Sequence, residues 1–484
     1  MITHAWRLFS LLVVLSLALM TGCATPPTAA PVATTAPKPQ DTAVPAAPTA
    51  AAPPAANEPV KITIFVGFGT GTDPSQIELH NQLAQEFNAS HPDIQIEFVT
   101  VAYDDHDAKF STMLAGDIPP DLVMPIGVMG VATYYDEWLD ITPYVERDNY
   151  DMSDFYGPTV ELQTYADKMI GLPVGVYPSV TYYNEDLFDQ AGMDYPPHAW
   201  GDPAWTYDKL VADAQKLTLD ENGNDATSPD FDPDKIAQWG WSGWEWSPWR
   251  IVPGKFGGNP LGMSADLKQA EMNTPEWQAG MQFLHDTIWT WHIRPTGEVV
   301  EAQFSDIDPL QSGTVAMWEV FSWMAYNYST WNEAFNWNVA AIPAGPNGEI
   351  VAEANADAFA IPRHSKHPDE AWEVAKWLMQ PEVLSRLAAS YGCIPARKSL
   401  ADGWLDGMKA DYPKVDWQVF IDSIDYMDAQ PNNEGWVPAY KKTWDAMENS
   451  MSLIVTGANT DVPAVLDALD TEVQGYLDEY WANP

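Results

Sequence analysis

The stretch Val60–Val101, "VKITIFVGFGTGTDPSQIELHNQLAQEFNASHPDIQIEFVTV", decides the fold class. "VKITIFVGF" is a β-branched run of strand character. In "DPSQIELHNQLAQEFNASHP", Asp73 stands where a helix N-cap belongs, and Ile77, Leu79, Leu83 and Phe87 fall near helical spacing before "HP" ends the run. "IQIEFVTV" alternates as a second strand. The next residues, "DDHDAKFSTMLAGDIPPDLVMPIG" (Asp104–Gly127), repeat the pattern with a helix, a Gly/Pro stop and a short apolar strand. Strand, helix, strand, helix, strand is the order of an α/β layer whose sheet is mainly parallel.

Upstream of this unit the chain changes character. After a single cation, Arg7, the apolar run "LFSLLVVLSLALM" (Leu8–Met20) is short for a bilayer span and leads into "TGC", the pattern of an export signal. Residues 24–58 are almost wholly Ala, Pro and Thr; with nothing apolar to bury and prolines favouring extended backbone, they are expected to form a disordered, semi-rigid spacer. Only two cysteines occur, Cys23 and Cys393, so a disulfide framework is not expected. Cys393 is expected to be a small buried apolar residue.

The composition is globular, with 46% hydrophobic and 12% aromatic residues over 484, enough for a sizeable core. The 68 acidic residues against 23 Lys+Arg give −45, a field that repels phosphate backbones, so nucleic acid is not an expected partner. Downstream, strand and helix signals continue through "MIGLPVGVYPSVTYYNEDLFDQAG", "WTYDKLVADAQKLT", "TPEWQAGMQFLHDTIW", "GTVAMWEVFSW", "DAFAIP" and a terminal helix in "DVPAVLDALDTEVQGYLDEYW". Between them "WGWSGWEWSPWR" (Trp239–Arg250) sets five tryptophans among Gly, Ser and Pro, at intervals that fit neither helix nor strand and suggest a loop.

In their order, "LAQEFNASHPDIQIEF", "MLAGDIPPDLV", "GLPVGVYPSVTYYNEDLFDQAG", "WTYDKLVADAQKLT", "GTVAMW", "WNVAAIPAGPNG" and "SKHPDEAWEVAKWLMQPE…IPARKS" resemble the carbohydrate-binding solute-binding proteins of ATP-binding-cassette importers, the maltose-binding-protein-like group. "LALMTGC" likewise resembles a bacterial lipoprotein signal, with Cys23 the lipidated residue and 1–23 the signal segment. The resemblance implies an α/β, two-lobe periplasmic-binding-protein-like fold (type II), with a ligand cleft and hinge crossings near Gly171–Tyr177, Trp337–Pro343 and Pro395–Leu400. Lobe 1 would comprise 59–175 plus 343–398, and lobe 2 would comprise 176–342 plus 399–484. The expected protein is a non-catalytic, extracytoplasmic, lipid-anchored receptor that hands a sugar or oligosaccharide to importer permease subunits, acts as a monomer, meets the membrane only through its lipid, and needs neither cofactor nor metal.

Sugar sites pair aromatic faces, which take the C–H faces of a pyranose, with carboxylates and amides that take its hydroxyls. On that chemistry and the resemblance, Trp244, Trp246 and Trp249 are candidate stacking rings. Phe68, Thr70 and Asp73 are candidates in the first loop, Asp73 also reading as a helix cap. Tyr177 lies at the hinge, and Trp318, Glu319 and Trp323 occupy positions that are either cleft-lining or core. Asn355, Asp357 and Trp436 complete the set. Aromatic boxes with carboxylates also suit polyamines or other cations. A glycosidase with two carboxylates is the competing enzyme class, although G-x-S-x-G and H-E-x-x-H motifs do not occur, and a surface adhesin is a third reading. "DENGNDATSPDFDPD" (Asp220–Asp234) begins like a calcium loop but has neither the sixth-position glycine nor the twelfth-position glutamate, so it reads as a solvated acidic loop.

Overall fold

The computed structural model describes residues 58–482 apart from 166–167, 244–247, 306 and 428–434, and leaves the side chains of 248, 250, 251 and 326 undescribed. The first unit folds as its sequence predicts. Strand β1 (Val60–Val66) pairs in parallel with β2 (Ile94–Thr100) on one side and with β3 (Leu122–Ile126) on the other. Helix α1 (Pro74–Ser90) and helix α2 (His106–Ala115) make the crossovers. Pro74 opens α1, where a missing N–H costs nothing, and Gln76 Oε1 turns back to accept from the Gly71 and Asp73 amides at 2.6 and 3.2 Å. Leu83 and Phe87 are its buried face, and the helix ends at His91, ahead of Pro92. A short helix, α3 (Val128–Thr133), follows β3 directly.

The centre of the molecule is β4 (Gly171–Asn184), with all fourteen residues buried, as befits a strand covered on both faces. Two sheets share it. Its first half, Gly171–Pro178, pairs antiparallel with β8 (Ala354–Ala360), which joins it to β3, and takes β9 (Ile394–Pro395) on its other side. Its second half lies between β6 (Met317–Phe321) and β7 (Trp337–Ala340), with β5 (Ser242–Gly243) beyond β6. Among the described residues this makes nine strands in the order β2-β1-β3-β8-β4-β6-β5, with β7 and β9 branching from β4. The chain passes between the two half-sheets within β4 and again between β7 and β8.

The second half-sheet is cushioned by helices α4 (Tyr207–Leu217), α5 (Pro248–Lys255) and α6 (Pro275–Trp289). Helices α7 (Tyr440–Val455) and α8 (Val462–Ala482) pack on each other and on α6. Tryptophan supplies much of the core: Trp241, Trp277, Trp318, Trp331, Trp372 and Trp417 are fully buried. The tryptophan-rich segment departs from the loop expected of it. Trp239 and Trp241 enter the core and β5 follows them; Pro248 then starts α5, the helix position that proline tolerates best. Gly240 permits this course, because a Cβ there would stand 1.9 Å from the Ala214 carbonyl oxygen of α4.

Candidate functional site

The parallel strands β1 and β3 end side by side, and the loops leaving them carry Phe68-Gly69-Thr70 and Gly127. Open α/β sheets bind ligands at such carboxyl ends. Beneath these loops lies β8, whose Asn355 and Asp357 share one face because they are two residues apart on a strand. Asn355 stands directly opposite Tyr177 of β4. The Tyr177 hydroxyl donates to Asp357 Oδ2 at 3.0 Å and lies 3.3 Å from Thr70 Oγ1, with its ring fully buried. A Cβ on Gly127 would come within 3.3 Å of Asp357 Oδ1 and 3.5 Å of Asn355 Oδ1, so the backbone rests almost on these two side chains. From the second half-sheet, the half-buried Trp323 meets the Tyr177 ring edge-on at 5.8 Å and stacks on Phe321 at 4.2 Å.

Asp357 is the unusual member. It is 6% exposed, and its one hydrogen bond among the described residues is from Tyr177. Burial pushes its carboxyl up to about 7, against a smaller downward pull from the Tyr177 hydroxyl. The group therefore passes between a donor-acceptor acid and an acceptor-only carboxylate near neutrality. Its oxygens suit either a hydroxyl or a cation.

A second feature opens beyond the far end of α3. A cleft of about 380 Å³ is walled by Ser111 and Leu114 of α2, by the run from Ala132 to Glu137, and by Trp436 and Tyr440 from the other end of the chain. Tyr135 and Trp436 stack directly on each other in its lining, with centroids 4.6 Å apart and planes at 25°. The aromatic contacts extend to both sides: Tyr165 lies against Tyr135 at 6.0 Å, and Tyr440 leads through Trp444 (6.0 Å) to Trp249 (4.8 Å). Trp249, 4% exposed, thus connects the tryptophan-rich segment with the wall of this cleft.

Thr70, Tyr177, Trp323, Asn355 and Asp357 come together in one cluster, while Trp436 lies in the cleft and Trp249 lies behind it. Phe68 turns instead into an aromatic core with Phe65, Phe110 and Tyr134, at centroid distances of 5.6, 5.2 and 5.8 Å. Asp73 is exposed at the N-cap of α1. Trp318 is 1% exposed and faces Trp331 at 6.3 Å, a core position. Glu319 is drawn into a buried ion cluster: Lys255 Nζ stands 2.8 Å from Glu319 and 2.9 Å from Glu353, and Ser179 donates to Glu353 at 2.6 Å. Burial alone would lower the Lys255 pKa, but Glu319 and then Glu353 outweigh it and raise it. Trp244 and Trp246 lie outside the described residues, as does Cys23. Cys393 is fully buried and free, and burial pushes its thiol far above the usual range, which makes it inert.

The acidic loop resolves differently from a cation site. Asp220 is 2% exposed and accepts four N–H bonds, from the Asn222, Asn224 and Asp232 amides and the Asn224 side chain, at 2.8–3.1 Å. Three backbone amides and one side-chain amide thus take up the Asp220 oxygens. Sequence reasoning missed Gly127, Tyr134, Tyr135, Glu137, Tyr440 and Lys255. "TYYDEW" (Thr133–Trp138) carries the same aromatic-plus-acid signal that marked the tryptophan segment.

Comparison with known proteins agrees with this architecture. The family model for bacterial extracellular solute-binding proteins matches residues 73–384. A putative binding protein of Brucella abortus (strain 2308) is 23% identical over 399 residues, covering 80% of this chain and 87% of its own. Among solved structures, an ATP-binding-cassette substrate-binding protein of Listeria monocytogenes in complex with cycloalternan superposes with a TM-score of 0.68 at 21% identity, covering 87% of this chain and 99% of its own. The cyclic α-maltosyl-1,6-maltose binding protein of Arthrobacter globiformis gives 0.68 at 20% identity, covering 87% and 100%. Both share the two-lobe α/β fold. With a strand common to two half-sheets, a cluster at the strand ends and a family match over most of its folded body, the chain belongs to the bacterial extracellular solute-binding proteins.

Proposed function

We propose that this protein captures a sugar outside the cytoplasm and delivers it to the permease of an ATP-binding-cassette importer, without chemical change to the ligand. The observation that carries this reading is the buried, singly bonded Asp357 carboxyl beside Asn355, Thr70, Tyr177 and the Trp323 ring. It sets hydroxyl-binding groups around an aromatic face at the ends of β1 and β3. Solved relatives of the same fold bind cycloalternan, a cyclic maltosyl-maltose and mannotriose, which supports a carbohydrate ligand.

In this reading 59–175 with 343–398 and 176–342 with 399–484 act as lobes that close on the ligand. Only the closed form gives the sugar contacts from both sides, so binding shifts the hinge equilibrium. Trp244, Trp246 and Trp436 are proposed stacking rings. Cys23 is the lipid anchor on the outer face of the membrane, 24–58 the spacer, and the receptor works as a monomer.

The test is intrinsic tryptophan fluorescence of the 59–484 fragment, titrated with mono- and oligosaccharides and with spermidine. A saturable response to one glycan class, lost in Asp357→Ala, with the intact sugar recovered by chromatography, is the expected result. Cleaved sugar would transfer the protein to the glycosidases. Binding of spermidine alone, tightening as pH rises toward 7 while Asp357 ionises, would make the ligand cationic.

A further inference from the structure

Ser179 and Glu353 sit where the two half-sheets meet. Ser179 is the first residue of β4 to pair with β6, opposite Phe321, and Glu353 immediately precedes β8. Three hydrogen bonds join them. The Ser179 amide donates to the Glu353 carbonyl at 2.9 Å, the Glu353 amide donates to Ser179 Oγ at 3.0 Å, and Ser179 Oγ donates to Glu353 Oε2 at 2.6 Å. The other carboxylate oxygen faces Lys255 Nζ at 2.9 Å, and the same ammonium reaches Glu319 Oε1 at 2.8 Å and the Val351 carbonyl at 2.9 Å. All three ammonium donors are thereby used. Lys255, Glu319, Glu353 and Ser179 are each 2% exposed or less, so a broken bond here is not replaced by water. Glu353, which leads into β8 of the first half-sheet, is thus fastened to the second half-sheet and to α5. The fastening takes in both places where the chain crosses, β4 and the segment between β7 and β8.

One residue pair further along, Pro178 faces Ala354, and after it Tyr177 faces Asn355. Beyond that, Ile394 of β9 stands opposite Val176, and β8 bonds onward to β3. Pro178 has no N–H to give to the ladder, so the pairing between these two held regions is weakest at Pro178–Ala354. We infer that Pro178–Ala354 is the pivot on which the half-sheets bend, and that Lys255, Glu353 and Ser179 are positioning residues that clamp one side of it and confine the bend to that pair. This rests on the reading that the lobes close on a ligand. Tyr177, Asn355 and Asp357 then ride with the first half-sheet and Trp323 with the second, so closure rearranges the 5.8 Å contact between Tyr177 and Trp323. A ligand seated between them loads the pivot directly.

Spin labels at exposed positions of the 59–484 protein test it. Lys109→Cys with Asp208→Cys spans the half-sheets, from α2 to α4, whereas Asp208→Cys with Glu276→Cys stays within the second body, from α4 to α6. Cys393, fully buried, does not compete for the label. In pulsed electron paramagnetic resonance without ligand, Ser179→Ala is expected to broaden the spanning distance distribution about twofold and to leave the within-body distribution unchanged. Lys255→Met combined with Glu319→Gln and Glu353→Gln removes the charges at similar side-chain size; it is expected to broaden the spanning distribution as well, and serves if Ser179→Ala does not fold. A lowered melting temperature with an unchanged spanning distribution, or equal broadening of both pairs, overturns the clamp and leaves the receptor reading standing. In the wild type, maltotriose or mannotriose, where tryptophan fluorescence shows it bound, is expected to shorten the spanning distance. Binding without shortening overturns closure and the pivot together.

Discussion

Asp220 and Asp357 are the same residue type, each 6% exposed or less, and they titrate in opposite directions. Burial would raise Asp220, but the Asn224 side chain and three backbone amides hold it down to about 2. Asp357 has one hydroxyl, and burial takes it up to about 7. What separates them is the number of donors the fold supplies. Four make a structural staple that closes an acidic loop on itself; one leaves lone pairs for something that arrives later. A third arrangement, Lys255 between Glu319 and Glu353, satisfies its carboxylates with a cation and welds α5 to β6 and to the segment entering β8.

The sharpest way to break this contrast is to unpair the third arrangement. Lys255→Met leaves two buried carboxylates without their cation and is expected to cost about 3–5 kcal/mol in denaturant unfolding. Adding Glu319→Gln and Glu353→Gln should recover much of that loss; no recovery would show that Lys255 acts through packing.

Asp357→Asn works the other way. A carboxyl whose folded pKa is raised stabilises the fold at low pH and loses that contribution as pH climbs from about 4 to about 7, because the unfolded chain releases its proton first. The asparagine variant should be more stable than wild type at pH 8, by at most about 4 kcal/mol at 1.36 kcal/mol per unit, and equal to it at pH 4. A uniform effect across pH would remove Asp357 from the comparison.

Asp220 has the mirror-image window. Its contribution is complete above about pH 4 and disappears as pH falls toward 2. Asp220→Ala should lower the melting temperature at pH 7 by a few degrees and flatten the acid limb of the wild-type profile, and calcium should leave the wild-type melting temperature unmoved. A calcium-dependent rise would put a cation where the four N–H donors now point. The smallest effect is expected of Tyr177→Phe: loss of one hydrogen bond, about 0.5–1.5 kcal/mol, with the midpoint of the Asp357 transition moving above 7.

The α/β unit was legible from Val60 to Gly127 because short-range signals determine it: β-branched runs, a proline at the start of α1, and a Gly/Pro stop after α2. Tryptophan was the hard case. A ring in sequence does not say which side of a strand it faces or what it meets, and the core claimed Trp239, Trp241 and Trp318, leaving Trp323 half-buried at the cluster and Trp436 at the cleft. Glu319 was unreadable for another reason: it sits on strand β6, its partner Lys255 lies in helix α5, and Glu353 in a third segment. Pairings at that separation leave no local trace. Asp357 could be found, being one of few acids within an apolar strand, but its sparse bonding could not.

The shared strand sets a limit on how this molecule could be rebuilt. Since β4 is an internal strand of both half-sheets, a break or fusion within Gly171–Asn184 disrupts the pairing of both. The halves are inseparable as genetic modules, although they are expected to move as bodies. A sensor made from this receptor would carry its reporter at the margins, beside β2 or β5, where an inserted domain would leave the shared strand uncut.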